Sequence, residues 1–357
     1  MRILLVRLRL VGDVVFTTPV IGALRRRYPA AHLTYLVESS AAPAVEGHPY
    51  LDDVRVIPHR RGWARLADDW RIARDLRRAR FDVAIDLHGG PRSAWLTWAT
   101  RAPVRVGYDV AGRAWMYTHR AHRAAGLAPR HSVENQWDLL GAFDPGLAAS
   151  PDRSRDRVVM PVDPAARDRV DRRLAALGVA ARAPVVVLHV SAGNPFRRWP
   201  EDAFAALASA LARRAADRWV LVTSGPSDRD AAARVVQAAR RASGEAGRHV
   251  IDAEGLSLAE LRALMDRAAL FVGGDSGPLH IASTSDVPIV GLFGPTLPER
   301  SAPWRPPALG AAAIDAGPLP CRPCDQRRCA PGDFRCLTRI SPDTVHAAAE
   351  RLLEARA

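Results

Sequence analysis

The chain is 357 residues long, with 48% hydrophobic and 25% charged residues, which predicts a globular protein with room for two domains of ordinary size. Its net charge of +13 comes entirely from arginine, since the sequence has no lysine, so its surface favours anionic partners such as phosphorylated substrates or an anionic membrane face. The lack of a long apolar run argues against a membrane-spanning helix or a signal peptide and predicts a cytoplasmic protein, and the lack of a basic segment interleaved with aromatics argues against a nucleic-acid partner.

The first half of the chain alternates short apolar runs with amphipathic stretches. Apolar runs that predict strands occur at residues 3–6, 33–37, 54–57, 81–87 and 104–107. Helices are predicted at residues 14–24, 66–80 and 131–143. Continuous apolar strands separated by amphipathic helices predict an α/β fold with a parallel sheet covered on both faces.

A second alternating series follows a change in composition. Between residues 148 and 173 proline, aspartate, arginine and serine predominate, which places a domain boundary near residue 165. Further strands are predicted at residues 185–189, 219–223, 250–251, 271–274 and 288–293, and helices at 201–214, 229–241 and 257–267. Because open α/β sheets bind ligands at the carboxyl ends of their strands, we expect the active site in a cleft between two such halves.

The loop after the first strand carries Gly12 and Asp13. Asp13 lies near the N-terminus of the helix that follows, where a carboxylate is stabilised. Two interpretations remain open from the local sequence. Asp13 caps this helix, or it faces the cleft and takes a proton from an attacking hydroxyl.

Two loops of the second half contain candidate ligands for a nucleotide. The loop at residues 189–200 has small residues followed by Arg197 and Arg198, and guanidinium groups suit diphosphate oxygens. In a chain so rich in arginine, an adjacent pair also arises by chance. In the turn at residues 224–228, Asp228 either accepts a hydrogen bond from a ribose hydroxyl or simply occupies the first turn of a helix.

The stretch at residues 271–280 combines an apolar strand, a glycine turn, an acid, a hydroxyl and a histidine. Gly273 and Gly274 permit a tight turn, and Ser276 can cap the next helix, whose first N–H groups then face an anion. This pattern predicts a phosphate site. The alternative is a capped helix with Asp275 in an ordinary turn.

Four segments of the chain carry a family resemblance. They are RLRLVGDVVFTTP at residues 7–19, FRRWP at 196–200, GDSGPLH at 274–280 and FGPT at 293–296. Together they resemble glycosyltransferase family 9, the ADP-heptose:lipopolysaccharide heptosyltransferases, over essentially the full chain. The resemblance implies the GT-B architecture, in which two Rossmann-like domains face each other across a cleft.

The resemblance also implies a division of labour and a reaction. Residues 1–165 would bind the acceptor, residues 166–340 the nucleotide sugar, and the helix in residues 341–357 would return to the first domain. The enzyme would transfer a heptose or related sugar from ADP-heptose to a lipopolysaccharide core or other cell-envelope glycan, with inversion and without a metal. The ADP-sugar would be a co-substrate and no cofactor would be required. The implied acceptor is phosphorylated and lipid-linked, so the protein would act peripherally on the cytoplasmic face of the inner membrane. It is expected to be a monomer.

Individual roles follow from the matched positions. Asp13 resembles the general base, and the residues that resemble donor ligands are Ser191, Arg197, Asp228, Leu256, Asp275, Ser276, Gly277 and His280. Of these, Ser191 and Arg197 match diphosphate ligands and Asp275 a ligand of the sugar hydroxyls. His280 alternatively is a satisfied helix histidine. Acceptor-binding candidates are Gly12, Arg60, Arg61 and Arg120. The alternative for the basic loops that carry these arginines is an ordinary solvated surface.

Two departures from the family pattern leave the donor identity open. Arg197 stands where lysine is usual, and Ala192 and Gly193 stand where some members have a second hydroxyl residue. Two other functions therefore stay under consideration. One is a nucleotide-sugar epimerase or hydrolase with the same two-domain architecture, and the other is a non-catalytic protein at the anionic membrane surface.

All four cysteines fall in one segment, with the spacing Cys321-x2-Cys324-x4-Cys329-x6-Cys336. A reducing cytoplasm argues against disulfides. The first pair has the spacing of metal ligands, but the later gaps match no familiar zinc pattern. A structural metal site and free thiols both remain open.

Overall fold

The computed structural model describes residues 1–60, 62–123 and 129–356. These residues divide into two units, Met1–Pro161 and Val162–Ala357. The division lies between residues 161 and 162, whereas composition predicts a boundary near residue 165. Each unit is built from parallel strands and helices, which confirms the predicted α/β class.

A parallel sheet forms the centre of the first unit. Its described strands are β1 (Arg2–Val6), β2 (His32–Glu38), β3 (Asp53–Ile57), β4 (Val83–Asp86), β5 (Val104–Tyr108) and β6 (His119–Ala121). They are ordered β3-β2-β1-β4-β5-β6, and Leu4 of β1 lies between Thr34 of β2 and Ala84 of β4. Because β1 and β4 are covered on both faces, their sequences are continuous apolar runs rather than alternating ones.

Helices connect these strands. They are α1 (Val11–Val15), α2 (Thr18–Arg27), α3 (Gly62–Arg78), α4 (Pro91–Ala99) and α5 (Ser132–Phe143). Pro19 lies in the first turn of α2, where its missing N–H leaves no helical hydrogen bond unmade. The sequence pattern does not predict α4, whose mixed polar and aromatic residues form no clear apolar stripe, or β6, which has only three residues.

The second unit repeats the same plan. Its described strands are β7 (Val185–His189), β8 (Trp219–Thr223), β9 (Val250–Asp252), β10 (Leu270–Gly274), β11 (Ile289–Phe293) and β12 (Ala311–Asp315), in the order β12-β11-β10-β7-β8-β9. Its helices are α6 (Pro164–Ala176), α7 (Glu201–Arg214), α8 (Arg229–Ser243), α9 (Leu258–Arg267), α10 (Gly277–Ala282), α11 (Pro298–Ser301), α12 (Arg335–Thr338) and α13 (Pro342–Glu354). The alanine-rich β12 and the arginine-rich α6 carry few large apolar residues, which explains why the sequence does not predict them.

The last helix, α13, packs on the second unit. Ser341 caps it by accepting a hydrogen bond from the backbone N–H of Thr344. Its buried residues Val345, Ala348 and Ala349 belong to the same apolar core as β7, β8, β10 and α7. The apolar face of α13 is thus covered by the second sheet and α7.

Candidate active site

The strand order of each sheet identifies where a ligand can bind. In the first unit β2 and β4 flank β1, and in the second unit β8 and β10 flank β7. Chain connections leave the central strand in opposite directions at these places, which opens a crevice at the carboxyl ends of the strands. The predicted site residues follow these strands: Asp13 follows β1, Ser191 follows β7 and Asp275 follows β10.

Asp13 is held by a buried arginine. Its carboxylate oxygen Oδ2 lies 2.7 Å from Nη2 of Arg7, whose side chain is 9% exposed, whereas that of Asp13 is 38% exposed. Arg7 is fixed in turn, because its Nη1 donates a hydrogen bond of 2.8 Å to the carbonyl of Leu87 after β4. Asp13 is the third residue of α1 and not its cap, which is Leu10. The carboxylate is therefore oriented by Arg7 while remaining partly accessible to solvent.

A fully buried carboxylate, Asp86, organises the loop that anchors Arg7. It accepts hydrogen bonds from the backbone N–H groups of His88 and Gly89 and from the hydroxyls of Ser93 and Tyr117, at 2.6–2.9 Å. Burial raises the pKa of Asp86, although the four hydrogen bonds oppose this rise. The sequence predicts Asp86 only as part of a strand, yet its contacts join β4, α4 and the segment before β6.

A basic cavity lies at the carboxyl ends of β1 to β4. It has a volume of about 380 Å³, and its lining includes Arg9, Arg60, Arg65 and Arg92 with a single acid, Glu38. Three of these arginines also pair with acids of α3: Arg92 with Asp69 at 2.7 Å, Arg60 with Asp68 at 3.2 Å and Arg65 with Asp69 at 3.9 Å. The excess of cations makes the cavity suitable for a phosphorylated ligand.

His88, for which the sequence predicts no role, also lines the cavity. Burial, helped by the charge of Arg7, lowers its pKa to about 4, so its ring is neutral at pH 7.

The other acceptor-site candidates are distributed differently. Gly12 is buried within α1. Arg120 is exposed on the edge strand β6 and does not line the described cavity, and Arg61 lies outside the described residues.

In the second unit, Asp228 holds the loop after β7. Its carboxylate is 5% exposed, accepts hydrogen bonds from the hydroxyls of Ser191 and Ser227, and lies 2.8 Å from Nη2 of Arg198. Ser191 thus donates its proton to Asp228 and offers lone pairs on its other side. Asp228 thus holds Ser191 and Arg198 in place. A contact between Asp228 and a ribose stays a prediction.

The carboxylate of Asp275 is 2% exposed and surrounded by cationic and donor groups. Its Oδ2 lies 3.1 Å from Nη1 of Arg197, and its Oδ1 lies 3.6 Å from Nε2 of His280 in α10. Burial by itself would raise the pKa of Asp275, but the neighbouring His280 and the charge of Arg197 lower it to about 2. Asp275 is therefore ionised at pH 7 and can accept hydrogen bonds.

Gln326 also holds Arg197 in place, and no local pattern in the sequence predicts this role. Its Oε1 accepts hydrogen bonds from Nε of Arg197 at 2.8 Å and from Nδ2 of Asn194 at 2.9 Å. Gly274 contributes by its size, because a Cβ there would lie 2.9 Å from the carbonyl oxygen of Arg197. Arg197 is consequently fixed by contacts on two sides, with about a third of its side chain exposed.

Three buried hydroxyls in the loops that follow strands of this unit have no hydrogen-bond partner among the described residues. They belong to Ser224 after β8, Ser276 after β10 and Thr296 after β11. Ser276 occupies the N-cap position of α10, but its hydroxyl makes no capping hydrogen bond, contrary to the sequence expectation. Gly277 is the first residue of that helix. Because buried polar groups are normally satisfied, such hydroxyls at strand carboxyl ends suit the oxygens of a ligand. Leu256 lies half-buried after β9 at the same edge of the sheet.

The cysteine segment contains four free, half-buried thiols. Burial, together with the nearby thiols of Cys324, Cys321 and Cys329, raises the pKa of Cys336. Over the described ranges, no group of three or more histidine, cysteine or acidic residues is arranged to hold a metal ion.

Comparisons with known proteins agree in pointing to one family. The model of "Glycosyltransferase family 9 (heptosyltransferase)" matches residues 69–332. The chain is 29% identical over 354 residues to lipopolysaccharide heptosyltransferase 3 of Escherichia coli, and the alignment covers 97% of each protein.

Solved structures share the fold along the whole chain. A family 9 glycosyltransferase from Veillonella parvula superposes with a TM-score of 0.83 at 24% identity, covering 99% of this chain and 97% of that one. The E. coli heptosyltransferase WaaC, solved with ADP-2-deoxy-2-fluoro heptose, has a TM-score of 0.70 at 21% identity, with both chains fully covered. The two units thus have the Rossmann-like folds of the GT-B class.

Proposed function

Since the chain belongs to glycosyltransferase family 9, the heptosyltransferases, we propose that it transfers a heptose from ADP-heptose to a lipopolysaccharide core by an inverting, metal-independent displacement. The observation that carries this proposal is the cluster after β7 and β10. There an accessible arginine, Arg197, is fixed beside the buried, ionised Asp275. Ser276, next to Asp275 in sequence, has a buried hydroxyl without a partner among the described residues.

This cluster has complementary groups for a nucleotide-diphospho-sugar. Arg197 offers charged donors to the diphosphate, and Ser276 and the N–H of Gly277 offer neutral ones. Asp275 accepts hydrogen bonds from the sugar hydroxyls, with His280 beside it. Leu256 contacts the adenine and Asp228 the ribose. The choice of donor is supported by WaaC, whose structure contains an ADP-heptose analogue.

In the proposed reaction, Asp13 takes the proton of an acceptor hydroxyl while the oxygen of that hydroxyl attacks the anomeric carbon. The bond from this carbon to the diphosphate oxygen breaks, and ADP leaves with the electron pair. A single displacement inverts the anomeric centre. Arg197 and Ser276 meet the negative charge that builds on the leaving diphosphate.

The basic cavity of the first unit is the proposed acceptor site. Its arginines, including Arg60 and Arg92, suit phosphates on a lipid-linked core. Gly12, Arg61 and Arg120 remain further candidates for acceptor contacts. An enzyme with such an acceptor acts at the cytoplasmic face of the inner membrane, and we propose that it does so as a monomer.

Turnover with defined substrates tests the function. Purified protein given ADP-heptose and a truncated core acceptor should release ADP and form a product of inverted anomeric configuration, measured by coupled ADP detection and NMR. Chelation of divalent metals should leave the rate unchanged. Consumption of ADP-heptose without acceptor would favour a hydrolase or epimerase, and stronger thermal stabilisation by UDP-sugars than by ADP-sugars would contradict the proposed donor.

Arg197 should contribute strongly to nucleotide affinity. Arg197→Gln removes a charged donor to the diphosphate, so we expect a Kd for ADP about 10- to 100-fold higher by calorimetry. Arg197→Lys, the residue usual in the family, should lose less. Arg234→Gln is the matched control, because Arg234 pairs with Glu201 at 2.7 Å on the surface of the same unit. Equal affinity in the Arg197→Gln and Arg234→Gln proteins would argue against the diphosphate contact.

A further inference from the structure

The face of the first unit formed by α3 and α4 exposes large aromatic side chains. On α3, Trp63 is 87%, Leu66 43% and Trp70 70% exposed. Their spacing of three and four residues places them on one stripe of the helix. Large apolar side chains grouped in this way on a protein surface mark a site of interaction.

This stripe borders an open groove, which we call the tryptophan groove. The groove has a volume of about 580 Å³, and its apolar lining consists of Ala67, Trp70, Ala73, Trp95, Trp98 and Ala99. The rings of Trp70 and Trp95 meet edge to face with centroids 5.5 Å apart. Trp98 is packed similarly against Trp115, which is 60% exposed, at 5.8 Å. Mutual packing therefore orders an aromatic surface that solvent still reaches.

The rim of the tryptophan groove is positively charged. Arg71, Arg74, Arg77 and Arg101 line it, and no acidic residue of the described chain does. Arg74 and Arg77 are exposed and continue the stripe of Trp63 and Trp70 along α3. The guanidinium carbon of Arg101 lies 4.0 Å from the centroid of the Trp98 ring. Aromatic rings and cations are thus interleaved on one face.

We propose that the tryptophan groove docks the protein on the anionic phospholipid surface of a bilayer. Tryptophan favours the boundary between headgroups and acyl chains, because its ring is apolar and its indole N–H is polar. Arginines beside it reach lipid phosphates while their stems stay on apolar surface. In the parts of the chain that the structure describes, no helix is both long enough and apolar enough to span a membrane. The proposed attachment is therefore interfacial.

A second cavity connects the tryptophan groove with the basic cavity. It has a volume of about 360 Å³ and shares Trp70 and Trp95 with the groove and Arg65, Pro91 and Arg92 with the basic cavity. Leu66 and Asp69 complete its lining. A lipid-linked acceptor would thus find its phosphate site beside the docked face. This step of the argument rests on the proposed function, whereas docking itself does not require it.

Vesicle binding by the full-length protein, without any sugar substrate, tests the proposal. We expect sedimentation with phosphatidylcholine vesicles that contain phosphatidylglycerol and little with phosphatidylcholine alone. The double variant Trp63→Ser/Trp70→Ser should partition about tenfold or more weakly into the anionic vesicles. Tyr50→Ser is the matched control, because Tyr50 is an aromatic residue 45% exposed elsewhere in the same unit. Arg74→Gln/Arg77→Gln should also bind about tenfold or more weakly, and added salt should reduce binding of the unaltered protein.

Several results would overturn the proposal. They are equal binding to neutral and anionic vesicles, unchanged binding of both double variants, and a tryptophan variant that instead dissociates a dimer seen by light scattering. Affinity for ADP is measured in parallel and should be the same in all variants. Vesicle binding without ADP or ADP-heptose binding would contradict the proposed function and leave docking supported, so the two failures are distinguishable.

Discussion

Asp13→Asn should lower kcat about a thousandfold, within the range expected when a general base is removed. Asparagine keeps the shape of the side chain and can still accept a hydrogen bond from Arg7, but it cannot take a proton at neutral pH. Affinity for ADP should not change, because the proposed nucleotide ligands all belong to the second unit. The measurement is the rate of ADP release with ADP-heptose and core acceptor, beside the Kd for ADP.

Asp52→Asn provides the control for this variant. Asp52 is also 38% exposed and pairs with an arginine of the same unit, Arg25, at 2.6 Å. Its replacement should leave kcat within about twofold, since an exposed ion pair contributes little to stability. If Asp13→Asn retains more than about a tenth of the activity, another group must take the proton, because a general base contributes about 10²- to 10⁴-fold.

Asp86→Ala should destabilise the first unit by about 3–5 kcal/mol, the loss expected when a buried charged acceptor leaves several donors unsatisfied. Asp86 is 0% exposed and accepts from two backbone N–H groups and two hydroxyls. Hydrogen exchange of amides in β1 and β4 measures this loss within the first unit. Asp86→Asn should cost less, because its remaining oxygen keeps part of the network.

An exposed acid of the same sheet supplies the comparison for Asp86. Asp53 in β3 is 39% exposed and pairs with Arg55 at 3.0 Å, so Asp53→Ala should change stability by less than about 1 kcal/mol. Similar losses in Asp53→Ala and Asp86→Ala would show that the four hydrogen bonds of Asp86 are not the source of its effect. The Asp86→Ala protein should also lose transferase activity, since the loop that anchors Arg7 is disturbed.

The strands buried on both faces are the part of the fold that sequence predicts best. Residues 3–6, 185–188 and 270–272 are apolar without interruption, and each run lies within a central strand. Prediction fails where burial is small: β6 has two exposed residues of three, and β12 is mainly alanine. The local sequence of α13 also does not indicate where this helix packs, because an apolar stripe does not specify which sheet covers it.

For the candidate site, sequence reasoning finds side chains near a glycine turn and misses those that position them. Asp275, Ser276 and Arg197 belong to motifs with a recognisable order. Gln326 is separated from Arg197 by 129 residues, so only the folded chain brings them together. The position of Asp86 in the sequence does indicate its role. It ends an apolar strand before a glycine-containing loop, where buried backbone N–H groups need a hydrogen-bond acceptor.

The packing of α13 has a consequence for how such a gene can be recombined. The apolar core cluster of the second unit extends from Val186 to Ala349, and among the described residues its members all follow the division at 161 and 162. A single crossover between those codons would therefore exchange the second unit between relatives without splitting this core. Under the proposed function, one joint would then exchange donor preference independently of acceptor preference.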